Sequence, residues 1–257
     1  MRFKITLTPT GRYRMLPIDY QYYTSAWIYK VMARADAGFA EFLHQQGYRN
    51  GYKQFKHFCF SPLDIGRPTL WKERGLLEMH AGHAHLHVSF CFGDAAERFV
   101  YGIFRDQLFY LGDRFNGMDL QVAHIERMPD NIYNQTVHYR ALSPIVASIR
   151  AHDSKHAFYM GPLDEGYTDV LHHNLLDKAA SMPVPPILPL HGGFELGNVT
   201  APKSKLVTIK PYTPQQSKVR GYTFGFTLTA PAGTHRLIAD SGLGEKNAMG
   251  FGWCETV

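Results

Sequence analysis

The chain of 257 residues reads as an α+β protein made of two tandem ferredoxin-like (RRM-like) domains, 1–127 and 128–257, which meet in a cleft and carry a glycine-rich loop at the C-terminal end. Three observations predict this. Alternating apolar runs and amphipathic stretches follow one another as strand, helix, strand, strand, helix, strand. The same order restarts near residue 128, as a repeat of element order rather than of sequence. Four glycines then fall between Gly242 and Gly252, where the backbone is free to take left-handed conformations.

The elements follow in order. Phe3, Ile5 and Leu7 alternate with Arg2, Lys4 and Thr6, the period of a half-buried strand. Asp19 is placed to cap a helix from Tyr20 to Ala35, with Tyr22, Ala26, Tyr29 and Ala33 on one face and Trp27, Ile28 and Val31 beside it. A second helix runs from Phe39 to Gln46 and stops at Gly47, with His44 in its last turn. Tyr52–Phe60 alternates as a strand. Leu76–Met79 and His85–Phe92 read as a hairpin pair. Asp94 caps a helix over Ala95–Tyr110, and Met118–Arg127 is the strand that ends the first half. The second half predicts a strand over Gln135–Leu142, a helix over Asp164–Ala179, a proline-rich linker over 183–189, strands over Lys205–Lys210 and Tyr222–Thr229, a helix over Pro231–Asp240 and a last strand over Met249–Thr256.

Composition narrows the function. Hydrophobic residues make up 45% of the chain, enough for a folded core, and the net charge is +5, which suits an acidic partner such as nucleic acid. The charge is concentrated. Between Leu196 and Ala239 stand Lys203, Lys205, Lys210, Lys218, Arg220 and Arg236 with no acid, and Met1–His57 holds nine Lys or Arg against three acids. Cys59, Cys91 and Cys254 are far apart and form no Cys-x-x-Cys pair, so neither a zinc site nor a disulfide framework is implied. No signal peptide and no membrane span are read, and the expected location is the cytoplasm. A P-loop and a dinucleotide fingerprint are missing, as is the carboxylate cluster of a two-metal nuclease. His83, His85 and His87 would share one face of a strand, and with His80 they could ligate a metal. No acidic or cysteine ligand accompanies them, so a polar or RNA-contacting face is the preferred reading, and no metal or cofactor is expected.

The stretch Gly242–Trp253 carries the sharpest signal. Bare N–H groups beside a lysine cradle phosphate oxygens, although a glycine-rich turn leading into a strand accounts for the same pattern. G-x-G-E-K-N-x-x-G-F-G at the C-terminal end resembles the signature loop of the CRISPR-associated repeat-processing endoribonucleases of the RAMP superfamily. Tyr20–Tyr23 with Ile28 and Tyr29, then Phe42-Leu43-His44, resemble that family's first-helix region and catalytic histidine. Leu142–Ile145 resembles its entry into the second domain. The resemblance implies tandem ferredoxin-like domains, a metal-independent endoribonuclease of CRISPR repeat RNA (pre-crRNA), and Tyr29, His44 and Lys53 as catalytic groups. Lys56, Arg49 and His57 lie close enough to Lys53 to replace it.

RNA supplies its own nucleophile, the 2′-hydroxyl, so cleavage needs in-line geometry, a base, an acid and a cation for the developing phosphorane charge. An imidazole, whose ordinary pKa lies near neutrality, would transfer the proton at His44. Tyr29 would orient the phosphate or share that transfer, and Lys53 would stabilise charge. The products would be a 2′,3′-cyclic phosphate and a 5′-hydroxyl. Core packing accounts for Tyr29, and helix capping for His44, equally well on sequence alone. The RNA would be held by Gly242, Gly244, Lys246, Asn247, Gly250 and Gly252 of the loop and by Lys203, Lys205, Lys218 and Arg220. Tyr212, Tyr222 and Phe224 are candidates for stacking on bases. Further candidate partners are an effector complex and a second copy of the chain. The alternative reading is a non-catalytic subunit that binds repeat RNA and delivers it to an effector complex.

Overall fold

The computed structural model of the chain describes residues 1–150, 157–183 and 193–257. The first half comprises β1 (Arg2–Pro9), α1 (Gln21–Ala35), α2 (Ala37–Gln45), a short hairpin of β2 (Tyr48–Asn50) and β3 (Lys53–Phe55), β4 (Phe58–Phe60), β5 (Ala84–Phe90), α3 (Gly93–Arg105), β6 (Leu108–Gly112) and β7 (Gly117–Arg127). Its main sheet has the order β4-β5-β1-β7-β6, and every pairing is antiparallel. Without the edge strand β6 this is the ferredoxin-like order. The alternation read in β1 sends Phe3, Ile5 and Leu7 inward. They join Trp27, Ile28 and Val31 of α1, Phe58 and Phe60 of β4, and Phe90 and Phe99. Each such side chain contributes about 1.5–3 kcal/mol on burial.

The second half repeats the plan with β8 (Thr136–Ala141), α4 (Tyr167–Ala180), β9 (Glu195–Ile209), β10 (Ser217–Thr229), α5 (Ala232–Ser241) and β11 (Cys254–Thr256). Its sheet order, β9-β10-β8-β11, is again ferredoxin-like. Tyr139, Tyr167, Leu171, Leu175, Phe224 and Phe226 build its core. A smaller cluster of Val146, Val207, Ile209, Val219 and Phe251 seats the β9–β10 hairpin on the glycine-rich loop. The protein is thus α+β, with two ferredoxin-like units in tandem.

Several expected elements differ. Leu76–Glu78 does not pair with β5; it forms a separate small sheet with Met15–Pro17 and Thr69–Trp71, while β5 pairs with β1 and β4. The all-buried Phe58-Cys59-Phe60 run takes the sheet edge beside β5, where the glycine-rich loop lies over Phe60 and covers it. The helix expected to reach Tyr110 ends at Arg105, because Asp106 is extended and its carboxylate accepts from the Leu108 N–H at 3.1 Å. Beyond it, Asp113 is buried and takes the N–H groups of Phe115 and Asn116, which closes the β6–β7 turn.

Asp19 does not cap α1. Tyr20 is the N-cap residue, and the Asp19 carboxylate accepts from the Thr208 N–H of β9 at 3.3 Å. Asp36 is the cap the sequence reading passed over. It ends α1 in an extended conformation and accepts from the Phe39 N–H at 2.9 Å to start α2. The last strand begins at Cys254, not Met249, because Asn247–Met249 is a single 3-10 turn. Conversely, β9 and β10 form a ribbon longer than expected. The linker expected over 183–189 lies, beyond Pro183, outside the described residues. Among the described residues no helix is long and apolar enough to cross a membrane.

Candidate active site

The abrupt turn at Asp36 folds α2 back on α1 and brings His44 onto Tyr29. Their rings meet edge to face with centroids 5.0 Å apart. Tyr29 also packs edge-on against Phe58 at 5.5 Å. Tyr29 lies at the margin of the core face of α1, packed against the core cluster. Ala26 and Ala33 are exposed beside it, Tyr29 is half-buried, and the core stripe is Trp27, Ile28 and Val31. Burial pushes the Tyr29 phenol well above its ordinary pKa, so it stays neutral near pH 7. His44 is exposed.

The two nearby lysines have different partners. Lys56 is half-buried, and its ammonium donates to the main-chain carbonyl of His44 at 2.8 Å. Burial, and then Arg49 nearby, lower its pKa to about 8, so near pH 7 it remains mainly cationic. Lys53, on β3, donates to the Asp177 carboxylate of α4, which also accepts from the Asn50 side-chain amide at 2.8 Å. Tyr29 and His44 are therefore together, Lys56 joins them, and the charge of Lys53 is met by a carboxylate from the second half. Of the other neighbours weighed as a replacement, Arg49 is exposed, and His57 is buried with Nε2 2.8 Å from Ser181 Oγ.

The glycine-rich loop runs across both halves. Gly252 has φ +72°, and a Cβ there would lie 1.9 Å from the Leu243 carbonyl oxygen. Gly250, at φ +87°, lets the loop lie on Phe60 and Gln21 of the first half, 2.9 and 3.0 Å from where its Cβ would be. Ser25 of α1 donates to the Ala248 carbonyl at 2.6 Å. Glu245 accepts from the Ser148 N–H at 2.9 Å and from its hydroxyl at 2.8 Å. Asn247 is turned inward. Its amide donates to the carbonyls of Leu243 and Phe251 at 3.2 and 3.0 Å, bracing the loop across its neck. Lys246 is exposed, in a left-handed conformation with φ +59°. Gly242 and Gly244 are buried with the loop's frame.

The four cations of the β9–β10 ribbon separate into two groups. Lys203 and Lys205 line an open cavity of about 800 Å³ on the sheet, together with His138, Arg140, Thr223 and Thr227. Lys218 and Arg220 are exposed nearer the hairpin turn, and Arg220 donates to Ser204 Oγ at 2.7 Å. His138 and Arg140 escaped the sequence reading. Their alternation with buried Tyr139 and Ala141 was the available signal. Of the aromatic stacking candidates, Tyr212 is exposed and Phe224 is a core residue. His83 and His85 accompany Thr8 and Thr6 at 3.0 and 3.3 Å, and the His87 ring stacks on Trp253. Among the described residues no group of three or more His, Cys, Asp or Glu could hold a metal ion.

Two ferredoxin-like units in tandem, with a basic ribbon and a glycine-rich loop wedged between them, define a protein of RAMP architecture. Residues 15–118 match the family model of CRISPR-associated protein Cas6, N-terminal, and residues 126–256 match that of CRISPR-associated protein Cas6, C-terminal. The chain belongs to the Cas6 family. It is 24% identical over 260 residues to CRISPR-associated endoribonuclease Cas6 1 of Methanocaldococcus jannaschii, covering 98% of this chain and 91% of that protein. Its fold is shared by a Cas6-related protein of Pyrococcus furiosus at a TM-score of 0.83 and 21% identity, covering 100% of this chain and 98% of that one. It is shared too by a RAMP protein described as binding different RNA substrates, at a TM-score of 0.82 and 19% identity, covering 100% and 99%.

Proposed function

We propose that this chain is a metal-independent endoribonuclease that cuts CRISPR repeat RNA into guide units, with His44, Tyr29 and a lysine as its reacting groups. The observation that carries the site is the packing of Tyr29 on His44 with the Lys56 ammonium on the His44 carbonyl. The RNA 2′-oxygen attacks the adjacent phosphorus as His44 takes its proton and water protonates the departing 5′-oxygen or, in the reverse assignment, water takes the 2′-proton and His44 protonates the 5′-oxygen. The P–O5′ bond breaks, leaving a 2′,3′-cyclic phosphate and a 5′-hydroxyl. Tyr29 donates to a phosphoryl oxygen. Lys56 takes the role first given to Lys53, because its charge is not already neutralised by a carboxylate.

The loop holds phosphates through Lys246, with Asn247 and the glycines setting its path; the N–H groups of Gly242, Gly250 and Gly252 donate to main-chain carbonyls. Lys203, Lys205, Lys218 and Arg220 extend the positive track. We read the two folding units as 1–127 and 128–257 and place the reaction in the cytoplasm. An effector complex that receives the product, and a second copy of the chain, are further proposed partners, which size-exclusion chromatography with and without RNA tests.

The test of the function is cleavage of end-labelled cognate repeat RNA in excess EDTA, with a control repeat carrying a 2′-deoxy nucleotide at the scissile position. The expected result is a single cut, resistance of the deoxy substrate, and a cyclic phosphate end. Tight binding without cutting would transfer the protein to the delivery-subunit reading.

A further inference from the structure

One turn of α4 grips three separate segments of the chain. Asp177 accepts from Asn50 and Lys53 of the β2–β3 hairpin. Lys178 donates through Nζ to the carbonyl of Gly242 at 2.7 Å, where the glycine-rich loop begins. Ser181, the residue that ends the helix, donates to the Lys178 carbonyl at 2.7 Å, so toward His57 its hydroxyl can only accept. The His57 ring is thereby fixed with its proton on Nε2. Burial, and then the charge of Lys178, lower its pKa to about 3, and it stays neutral. His57 directly follows Lys56, and its backbone lies at φ +52°, a left-handed conformation uncommon for residues other than glycine.

Lys178 is 3% exposed. It continues the buried stripe of Tyr167, Leu171 and Leu175 at helical spacing, where a leucine or methionine would pack without the cost of desolvating an ammonium. That cost is visible as a pKa lowered to about 8 by burial. Stability alone would favour an apolar side chain there, so the bond to Gly242 is what the lysine adds.

We propose that this turn is a positioning device for RNA cleavage: Lys178 fixes the entry of the loop that holds the RNA, and Asp177 fixes the hairpin that leads to Lys56, so that the bound strand and the cleaving groups keep one register. The inference rests on the reading of the loop and of His44 given above. Asp177 and Lys178 touch no reacting atom in it; they act through Gly242, Lys53 and Asn50.

The test separates binding from reaction in the full-length protein. Affinity is measured with the 2′-deoxy repeat, and the single-turnover rate and amplitude with saturating cleavable repeat. Lys178→Met fills the same space, and it is expected to keep the melting temperature, weaken binding about tenfold, the scale of one hydrogen bond to a charged group, and leave the saturated rate within about threefold. Asp177→Asn is expected to keep the affinity and lower the saturated rate about tenfold through lost orientation, and Asp177→Glu to restore most of it. Asp177 is only partly buried, so its variants carry the test should Lys178→Met misfold. Wild-type affinity and rate in both variants, with only the melting temperature or the active fraction reduced, would make the turn merely structural and overturn the proposal. Faster cutting by Asp177→Asn would also overturn it, because the carboxylate would then be holding Lys53 back. A wild type that binds but does not cut refutes the catalytic reading and with it the hairpin arm, while the affinity of Lys178→Met still decides the loop arm.

Discussion

The glycine-rich loop and the His44 patch are built on opposite principles. The loop is almost part of the core: its glycines are buried, Asn247 braces it from within, and Glu245 and Ala248 tie it to both halves of the protein. The patch is nearly the reverse. His44 is exposed in the last turn of a nine-residue helix, touching Tyr29 edge-on and lending only its carbonyl to Lys56. On the proposed function this contrast has a reason: a phosphate-holding surface must be preorganised before RNA arrives and invests its order in backbone, whereas a proton-transferring group must meet a substrate that completes its geometry and keeps its ring free. The loop therefore writes its requirements into sequence as fixed glycines, whereas the patch asks only for one histidine at one place.

The largest effect that would break this contrast is at His44. His44→Ala is expected to slow single-turnover cleavage by about 100-fold or more, the usual scale of a lost acid–base group, while affinity for the 2′-deoxy repeat and the melting temperature stay as in wild type. A variant that cuts equally well would remove the patch from the mechanism and leave the loop as the whole of the functional surface. Next in size is the loop itself. Gly252→Ala places a methyl 1.9 Å from the Leu243 carbonyl at φ +72°, and the backbone must shift. Stability is expected to fall by about 2 kcal/mol or more, read as a drop of about 4–8 °C in melting temperature, with RNA affinity falling alongside. If Gly252→Ala instead lowered affinity at an unchanged melting temperature, the loop would be a surface feature like the patch.

The sequence disclosed the loop and the double strand–helix order because both rest on local rules, glycine conformation and apolar alternation. It pointed to Tyr29 and His44 through resemblance alone, since an aromatic on a helix and a histidine at a helix end have ordinary structural explanations, and the structure brings their rings together. It was silent on Lys178, because a lysine after an aspartate looks solvated unless its place on the Tyr167–Leu171–Leu175 stripe is noticed. It also could not separate Lys53 from Lys56. Their difference lies in Asp177, more than a hundred residues along the chain, a pairing no local pattern encodes. The misplaced hairpin at 76–92 has the same origin: strand partners are chosen by the whole sheet, and β4 outcompetes the nearer segment.

The two lysines give the third test. Lys56→Met is expected to slow cleavage about tenfold more than Lys53→Met does, the difference between a cation beside His44 and one already paired with a carboxylate. The reverse ranking would mean that RNA displaces Asp177 from Lys53 on binding, and that Lys53 rather than Lys56 meets the phosphate.

The smallest effect sharpens the contrast most finely, because it lies within the loop. Lys246 and Asn247 are neighbours that face opposite ways, one exposed and one bonded to Leu243 and Phe251. A solvent-exposed lysine that meets a phosphate acts by releasing counterions, so Lys246→Ala is expected to weaken RNA binding severalfold and to reduce the slope of log affinity against log salt by about one, or slightly less for single-stranded RNA. Its melting temperature should not change. Asn247→Ala should do the opposite, lowering the melting temperature while leaving the salt slope as in wild type, because the amide it removes is spent on the loop's own carbonyls. An altered salt slope in both variants would place Asn247 on the RNA in the bound state, and the brace seen here would open when the RNA docks.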